Sequence, residues 1–305
     1  MENDISRSKQ FEALFASGPK VERLATGFQF TEGPIWNPAE QYLLFSDMPG
    51  DVRRKWTPDE GISEVRRPSN KCNGLTYDAE LNLIVCEHAT SRVTMETADG
   101  QVRVLASHYD GKELNSPNDV VCTDDGSIYF SDPVYGRMPG FGIERSQELP
   151  FQGLYRIDPA GDLHLESDDF AAPNGLCTSP DGALMYVNDT ERAHIRVFDV
   201  GADGSLNNGR MFCADIGTGD LDEGPPDGMK VDAAGNVWVT GPGGVWVIDP
   251  AGAHLGTIEV PENVGNLNWG GPDWKTLFIC ASTSLYSVAT TVSGAPSSYM
   301  RAARS

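Results

Sequence analysis

Along the chain, short apolar runs alternate with turn residues in a pattern that repeats six times. Each unit opens on a carboxylate or carboxamide residue, passes through a short apolar stretch and a turn, and ends on an apolar or alternating run. The units are EGPIWNPAEQYLLFSD from Glu32, NGLTYDAELNLIVCEH from Asn73 and NDVVCTDDGSIYFSD from Asn118. They continue as NGLCTSPDGALMYVND from Asn174, DGMKVDAAGNVWVTG from Asp227 and NLNWGGPDWKTLFICAS from Asn266. Apolar runs this short, bounded by Gly, Asn, Asp and Pro, predict strands. Asp99-Gly100, Asp125-Gly126, Asp181-Gly182 and Asp203-Gly204 supply the positive φ that tight hairpins need. No segment keeps a helical period; SKQFEALF near the start predicts one short helix at most.

The six openings lie 39 to 56 residues apart, and each of the first five units carries a further strand-like run, such as GLYRIDPAG at 153–161. Units of that length with several strands each are the mark of propeller blades. The pattern therefore predicts an all-β fold, a six-bladed β-propeller, with residues 1–305 as a single domain. The last unit has only two clear strands after its opening, TLFICAS and SLYSVAT, before a small and polar tail. Residues 20–26, KVERLAT, are expected to complete that blade and close the ring. Two connections are long, at 134–152 and 205–226. The first, with Tyr135, Met138, Phe141 and Phe151, is expected to be a mobile cover over the channel mouth.

The first strand of each propeller blade lines the central channel, so the opening residues should share one depth around the axis. Glu32, Asn73, Asn118, Asn174, Asp227 and Asn266 would form a ring of two carboxylates and four amides. A hard cation such as Ca²⁺ favours that oxygen set, and the absence of His and Cys makes zinc a less natural occupant. A competing reading is purely structural: Asn-Gly and Asp-Gly make good turns, and buried Asn caps loops. Two acids facing a channel without a cation are costly, which favours the metal for Glu32, Asn174 and Asp227 together.

Charge narrows the partners. With 44 acidic and 23 basic residues the formal net charge is −21, which repels phosphate backbones and anionic membranes. Nucleic-acid and membrane partners are therefore not expected, and no apolar stretch reaches eighteen residues. The six cysteines stand far apart with no CxxC or zinc-type spacing, so buried free thiols are expected, as suits a reducing cytoplasm. The opening residues lack the apolar core of a secretory signal; a periplasmic location would require a leader already removed.

Several of these segments together resemble the calcium-dependent propellers of the senescence marker protein, gluconolactonase and luciferin-regenerating enzyme family. The motifs are FTEGPIW at 30–36, NSPND at 115–119, YFSDP at 129–133, PNGL at 173–176 and PDGM at 226–229. CEHATSR at 86–92 and SDPVYG at 131–136 are similar to the bacterial gluconolactonase branch. The resemblance implies a metal-dependent hydrolase that opens a sugar lactone, such as gluconolactone, to the aldonic acid. It implies Ca²⁺ as the metal, with Zn²⁺ or Mg²⁺ as alternatives, and a small-molecule lactone as partner.

Position by position, Glu32 matches the family's metal-binding glutamate, Asn174 its metal-binding asparagine, and Asp227 its metal-binding aspartate. Asp227 is also the implied proton acceptor and donor. Asn118 matches an asparagine near the metal that contacts substrate or water there. The animal enzymes carry an arginine two residues before that asparagine, where this chain has Ser116, so that contact to sugar hydroxyls is not inherited. His88 and Arg92 are placed at the channel mouth as substrate-binding candidates, against the plainer reading of His88 as a satisfied strand residue. Asp132 could line the site or cap a turn before Pro133. Three other readings compete: an organophosphate triesterase of the diisopropyl fluorophosphatase type, a non-enzymatic propeller binding platform, and a strictosidine-synthase-like condensing enzyme. The platform predicts a channel without ligand acids, and fold alone does not choose among them.

Overall fold

The structure, a computed structural model, describes residues 9–302. Six four-stranded antiparallel sheets follow one another around a central channel. Blade 1 comprises Thr31–Asn37, Tyr42–Asp47, Val52–Thr57 and Gly61–Arg66, ordered from the channel outward. Blade 2 comprises Cys72–Tyr77, Leu83–Glu87, Arg92–Glu96 and Val102–Ala106. Blade 3 comprises Val120–Cys122, Ile128–Asp132, Gln152–Ile157 and Leu163–Phe170; blade 4, Pro173–Thr178, Leu184–Asp189, His194–Val200 and Leu206–Cys213. Blade 5 comprises Met229–Val231, Val237–Gly241, Gly244–Ile248 and His254–Glu259.

In blade 6, Val264–Gly270, Thr276–Ala281 and Ser284–Ala289 are followed outward by Glu22–Thr26 from the other end of the chain. Glu22 lies opposite Ser287 and Thr26 opposite Ser284. The strand pairing covers the outer edge of Ser284–Ala289 and closes the ring by joining its first strand to its last blade.

The core lies between blades. Apolar side chains from facing sheets interdigitate in five clusters, as where Trp238 of blade 5 meets Trp269 of blade 6 edge-on at 5.1 Å. Second strands such as Leu43–Phe45 and Leu277–Ile279 are apolar on both faces because a blade is covered on both sides. The hairpin glycines behave as their chemistry dictates: Gly100, Gly126, Gly182 and Gly204 all take positive φ. All six cysteines are free, and all but Cys213 are buried. No helix among the described residues is long and apolar enough to cross a membrane.

The first and last of the described residues pack onto the propeller. Residues 9–12 are helical, and Leu14 and Phe15 behind them bury against blades 5 and 6. The small, polar tail carries a short helix, Ser298–Ala302, whose Tyr299 and Met300 are buried beneath the channel. A cavity of about 280 Å³ remains between that helix and the lower ends of the inner strands.

The 134–152 connection is held down. Tyr135–Arg137 forms a single 3-10 turn, and the buried Arg137 guanidinium binds Asn115 O at 2.9 Å, Leu114 O at 2.6 Å and Glu113 at 2.9 Å. Lys71 Nζ donates to Gly140 O at 3.2 Å, and Phe141 meets Phe30 edge-on. A planar guanidinium with several acceptors fixes a loop more firmly than its glycine content suggests.

Candidate active site

The upper rim of the channel is built from one local device used repeatedly. In four inner strands the pairing register breaks at the opening residue: between Glu32 and Ile35, Cys72 and Leu75, Pro173 and Leu176, and Val264 and Asn266. Such an irregularity lifts a residue out of the ladder and re-aims its side chain. Asn118 and Asp227 stand just before the short inner strands of blades 3 and 5.

The glycines beside the ring serve close approach between blades. Gly74 N donates to Asn118 O at 2.8 Å, Gly175 N to Asp227 O at 3.0 Å and Gly228 N to Gly265 O at 2.8 Å. A Cβ on Gly175 would fall 2.1 Å from Asp227 O, so only glycine lets these strands touch. The Asn-Gly and Asp-Gly pairs of the ring are therefore neither turns nor loop caps.

A second repeated device holds the loops that lead into the ring. The acid ending the second strand of a blade accepts backbone amides from the preceding connection. Asp47 takes Gln29 N at 2.9 Å; Asp132 takes Asn115 N at 2.8 Å and Ser116 N at 2.7 Å; Asp189 takes Ala171 N at 2.8 Å and Ala172 N at 3.1 Å. Asp132 thus clips the loop carrying Asn118 and does not line the channel. Arg92 belongs to the same layer: its Nε donates to buried Glu87 at 2.7 Å, which also accepts from Thr90 and Asn70. The structure does not bring its guanidinium to the ring.

Within the ring, Glu32 is buried, and its Oε2 accepts from Gly33 N at 2.9 Å and Asn266 Nδ2 at 3.1 Å. Burial, then the nearby charge of Asp119, pushes Glu32 up to about 7. Asp227 is half-buried; enclosure by protein, then Glu32 and Asp119, pushes its carboxyl well above the usual range. Asn174 Nδ2 donates to Thr190 Oγ1 at 3.0 Å, while its Oδ1 is buried without a donor. Asn73 Oδ1 is likewise buried and unpartnered.

His88 lies fully buried behind Asn73. Its Nδ1–H donates to Phe141 O at 3.1 Å, so Nε2 accepts from Asn73 Nδ2 at 3.1 Å. Burial lowers its pKa to about 4 and keeps it neutral, which fixes the Asn73 amide. Asp119 and Lys230 escaped the sequence reading. Asp119 is buried and pairs with Lys230 Nζ at 3.6 Å, and its charge is felt by both Glu32 and Asp227. The signal was present: the residue after the ring position is glycine in four repeats, but Asp119 in the third.

The donor set fits a hard divalent cation. Two neighbouring carboxylates disfavour each other's ionisation, and buried amide oxygens lack donors; a cation among them would relieve both. No group of three or more His, Cys, Asp or Glu side chains gathers as a metal cluster among the described residues.

Residues 30–283 match the family described as the SMP-30/Gluconolactonase/LRE-like region. The gluconolactonase of Zymomonas mobilis is 32% identical over 94% of this chain and 86% of its own. Pentonolactonase XacC of Haloferax volcanii is 27% identical over 83% and 82%. The structure of a gluconolactonase from Xanthomonas campestris superposes with a TM-score of 0.84 at 32% identity, covering 92% of each chain.

Proposed function

The chain belongs to the SMP-30/gluconolactonase/LRE-like family, and from that premise we propose that it is a metal-dependent lactonase opening a sugar lactone, such as gluconolactone, to the aldonic acid. The observation that carries this reading is the convergence of Glu32, Asp227 and the donor-free Asn174 oxygen at one depth of the channel. Those three, with Asn118, would hold the metal, for which Ca²⁺ suits the all-oxygen set. Once bound, it supplies Lewis-acid polarisation of the lactone carbonyl.

The chain's own groups do the rest. Asp227, partly exposed and beside Glu32, would take a proton from attacking water. It can return that proton to the ring oxygen as the C–O bond breaks. Asn73, its amide fixed by neutral His88, keeps a donor-free oxygen that would accept from substrate or water. The clips at Asp132 and Asp189 hold Asn118 and Asn174 in place, so little rearrangement is needed on binding.

Purified protein should hydrolyse glucono-δ-lactone and pentonolactones, lose the activity to a chelator, and regain it with Ca²⁺. Asp227→Asn should lower kcat by about two to four orders of magnitude. Glu32→Gln should chiefly weaken metal binding and recover in part with excess Ca²⁺. Equal rescue of both variants would make Asp227 a ligand only. Hydrolysis of a phosphotriester such as paraoxon, with every lactone left intact, would replace the lactonase by the triesterase.

A further inference from the structure

The Tyr135 side chain carries a polar group beside the ring that neither metal binding nor the fold accounts for. The Tyr135 hydroxyl is buried and makes no hydrogen bond of ordinary geometry. It lies beside Thr190, with Asp227 among the nearest charges. Thr190 Oγ1 accepts from Asn174 Nδ2 at 3.0 Å and donates its one proton to Pro226 O at 2.8 Å, so it has none to give the phenol. The phenol stands beside Thr190 on the Asn174–Asp227 side of the ring, its hydroxyl without a partner of ordinary hydrogen-bond geometry.

The backbone around it is set with care. Gly136 N donates to Ser116 Oγ at 2.9 Å, and Ser116 Oγ donates to Pro133 O at 2.5 Å. A Cβ at residue 136 would lie 2.5 Å from Ser116 Cβ and 2.7 Å from His88 Cβ. The turn is thus pressed onto the ring's supporting layer, and Arg137 anchors its far side. Tyr155 is also buried without a partner, but it is packed between Phe130 and Tyr109 inside blade 3. Leaving a buried hydroxyl unpaired is costly, and unpaired groups at a site are natural places for a ligand to complete.

Resting on the lactonase reading, we propose that Tyr135 is a specificity residue: its hydroxyl exchanges a hydrogen bond with a ring hydroxyl of a polyhydroxylated lactone bound over Asn174 and Asp227. A substrate hydroxyl, itself donor and acceptor, matches the phenol. Such a contact favours sugar lactones over unsubstituted ones, since a site built for a hydroxyl discriminates against ligands that lack it.

The test compares the full-length, Ca²⁺-loaded wild type with Tyr135→Phe on glucono-δ-lactone and δ-valerolactone, with the melting temperature recorded for both proteins. The expected result is a fall of about tenfold in kcat/KM for gluconolactone, carried mainly by KM, the usual worth of one neutral hydrogen bond. Kinetics on δ-valerolactone and the melting temperature should not fall. Unchanged kinetics on both lactones would overturn the contact. An equal loss on both would place the hydroxyl at the reacting carbonyl instead, and a lowered melting temperature would make it structural. If the wild type hydrolyses neither lactone, the lactonase reading fails first and this assignment with it.

Discussion

Replacing Glu32 with Gln should stabilise the metal-free protein above neutral pH, although Glu32 stands at the heart of the proposed metal site. Burial and the charge of Asp119 raise this carboxyl from 4.5 to about 7 in the folded state. Between those values the folded protein holds a proton that the unfolded chain has released, so stability falls as pH rises through the window. Above the folded value the cost is complete, on the order of 3 kcal/mol at about 1.4 kcal/mol per pH unit. Gln never ionises, and its amide oxygen can accept the same bonds from Gly33 and Asn266.

Neutral His88 pulls the other way, losing stability as pH falls from about 6.5 towards its folded value of about 4, but it does so in both proteins and cancels in the comparison. In a chelator at pH 8 the variant should melt roughly 5–10 °C above wild type, and near pH 4.5 the two should coincide. Saturating Ca²⁺ should reverse the order at pH 8, because only wild type offers the ion the second full carboxylate. Thermal melts followed by circular dichroism read all three conditions. A Glu32→Gln protein that is less stable than wild type at pH 8 in chelator, or a difference that ignores pH, would refute the argument.

Three further outcomes follow from the packing. Deleting residues 1–27 removes Glu22–Thr26 and the buried Leu14 and Phe15, and should cost the cooperative melting transition or lower its midpoint by more than about 10 °C; an unshifted midpoint would show that the strand is dispensable. Asp119→Asn removes a third negative charge beside the ring and should weaken Ca²⁺ binding about tenfold by calorimetry, an effect of roughly 1.4 kcal/mol; unchanged affinity would confine Asp119 to its pairing with Lys230. Arg137→Ala leaves three backbone carbonyls without their donor and Glu113 with Arg145 alone, and should cost about 3 kcal/mol in urea unfolding; a loss under about 1 kcal/mol would mean that the loop is held elsewhere.

Much of this protein could be read from local pattern. The blades announce themselves because a strand buried on both faces must be a short apolar run, and a hairpin must turn on a residue such as Gly126 that tolerates positive φ. Glu32, Asn174 and Asp227 stood out because each opens such a unit. Asp119 was equally visible in the alignment of repeats, as the one carboxylate at a position where four other units carry glycine, but the meaning of that glycine depends on contact with the next blade. The tail hid its packing for a different reason: Tyr299 and Met300 are two apolar residues in a polar stretch, too few to show a period.

What only the tertiary structure decided is which of these groups meet. Arg92 and His88 are near neighbours in sequence, yet one is tied to Glu87 in the loop layer and the other lies behind the ring against Phe141, 53 residues away. Ser116 marks a departure from the animal enzymes by sequence alone, and its use as a clip for the Tyr135 turn needs the path of a long loop. Asn266 reaches Glu32 across 234 residues only because six twisted sheets close into a ring. The repeat sets the depth of each opening residue along its own strand, since that depth depends on short-range backbone geometry. The charges that each carboxylate feels arise from neighbouring blades, so the elevated pKa values and the orphaned amide oxygens exist only once the ring has closed.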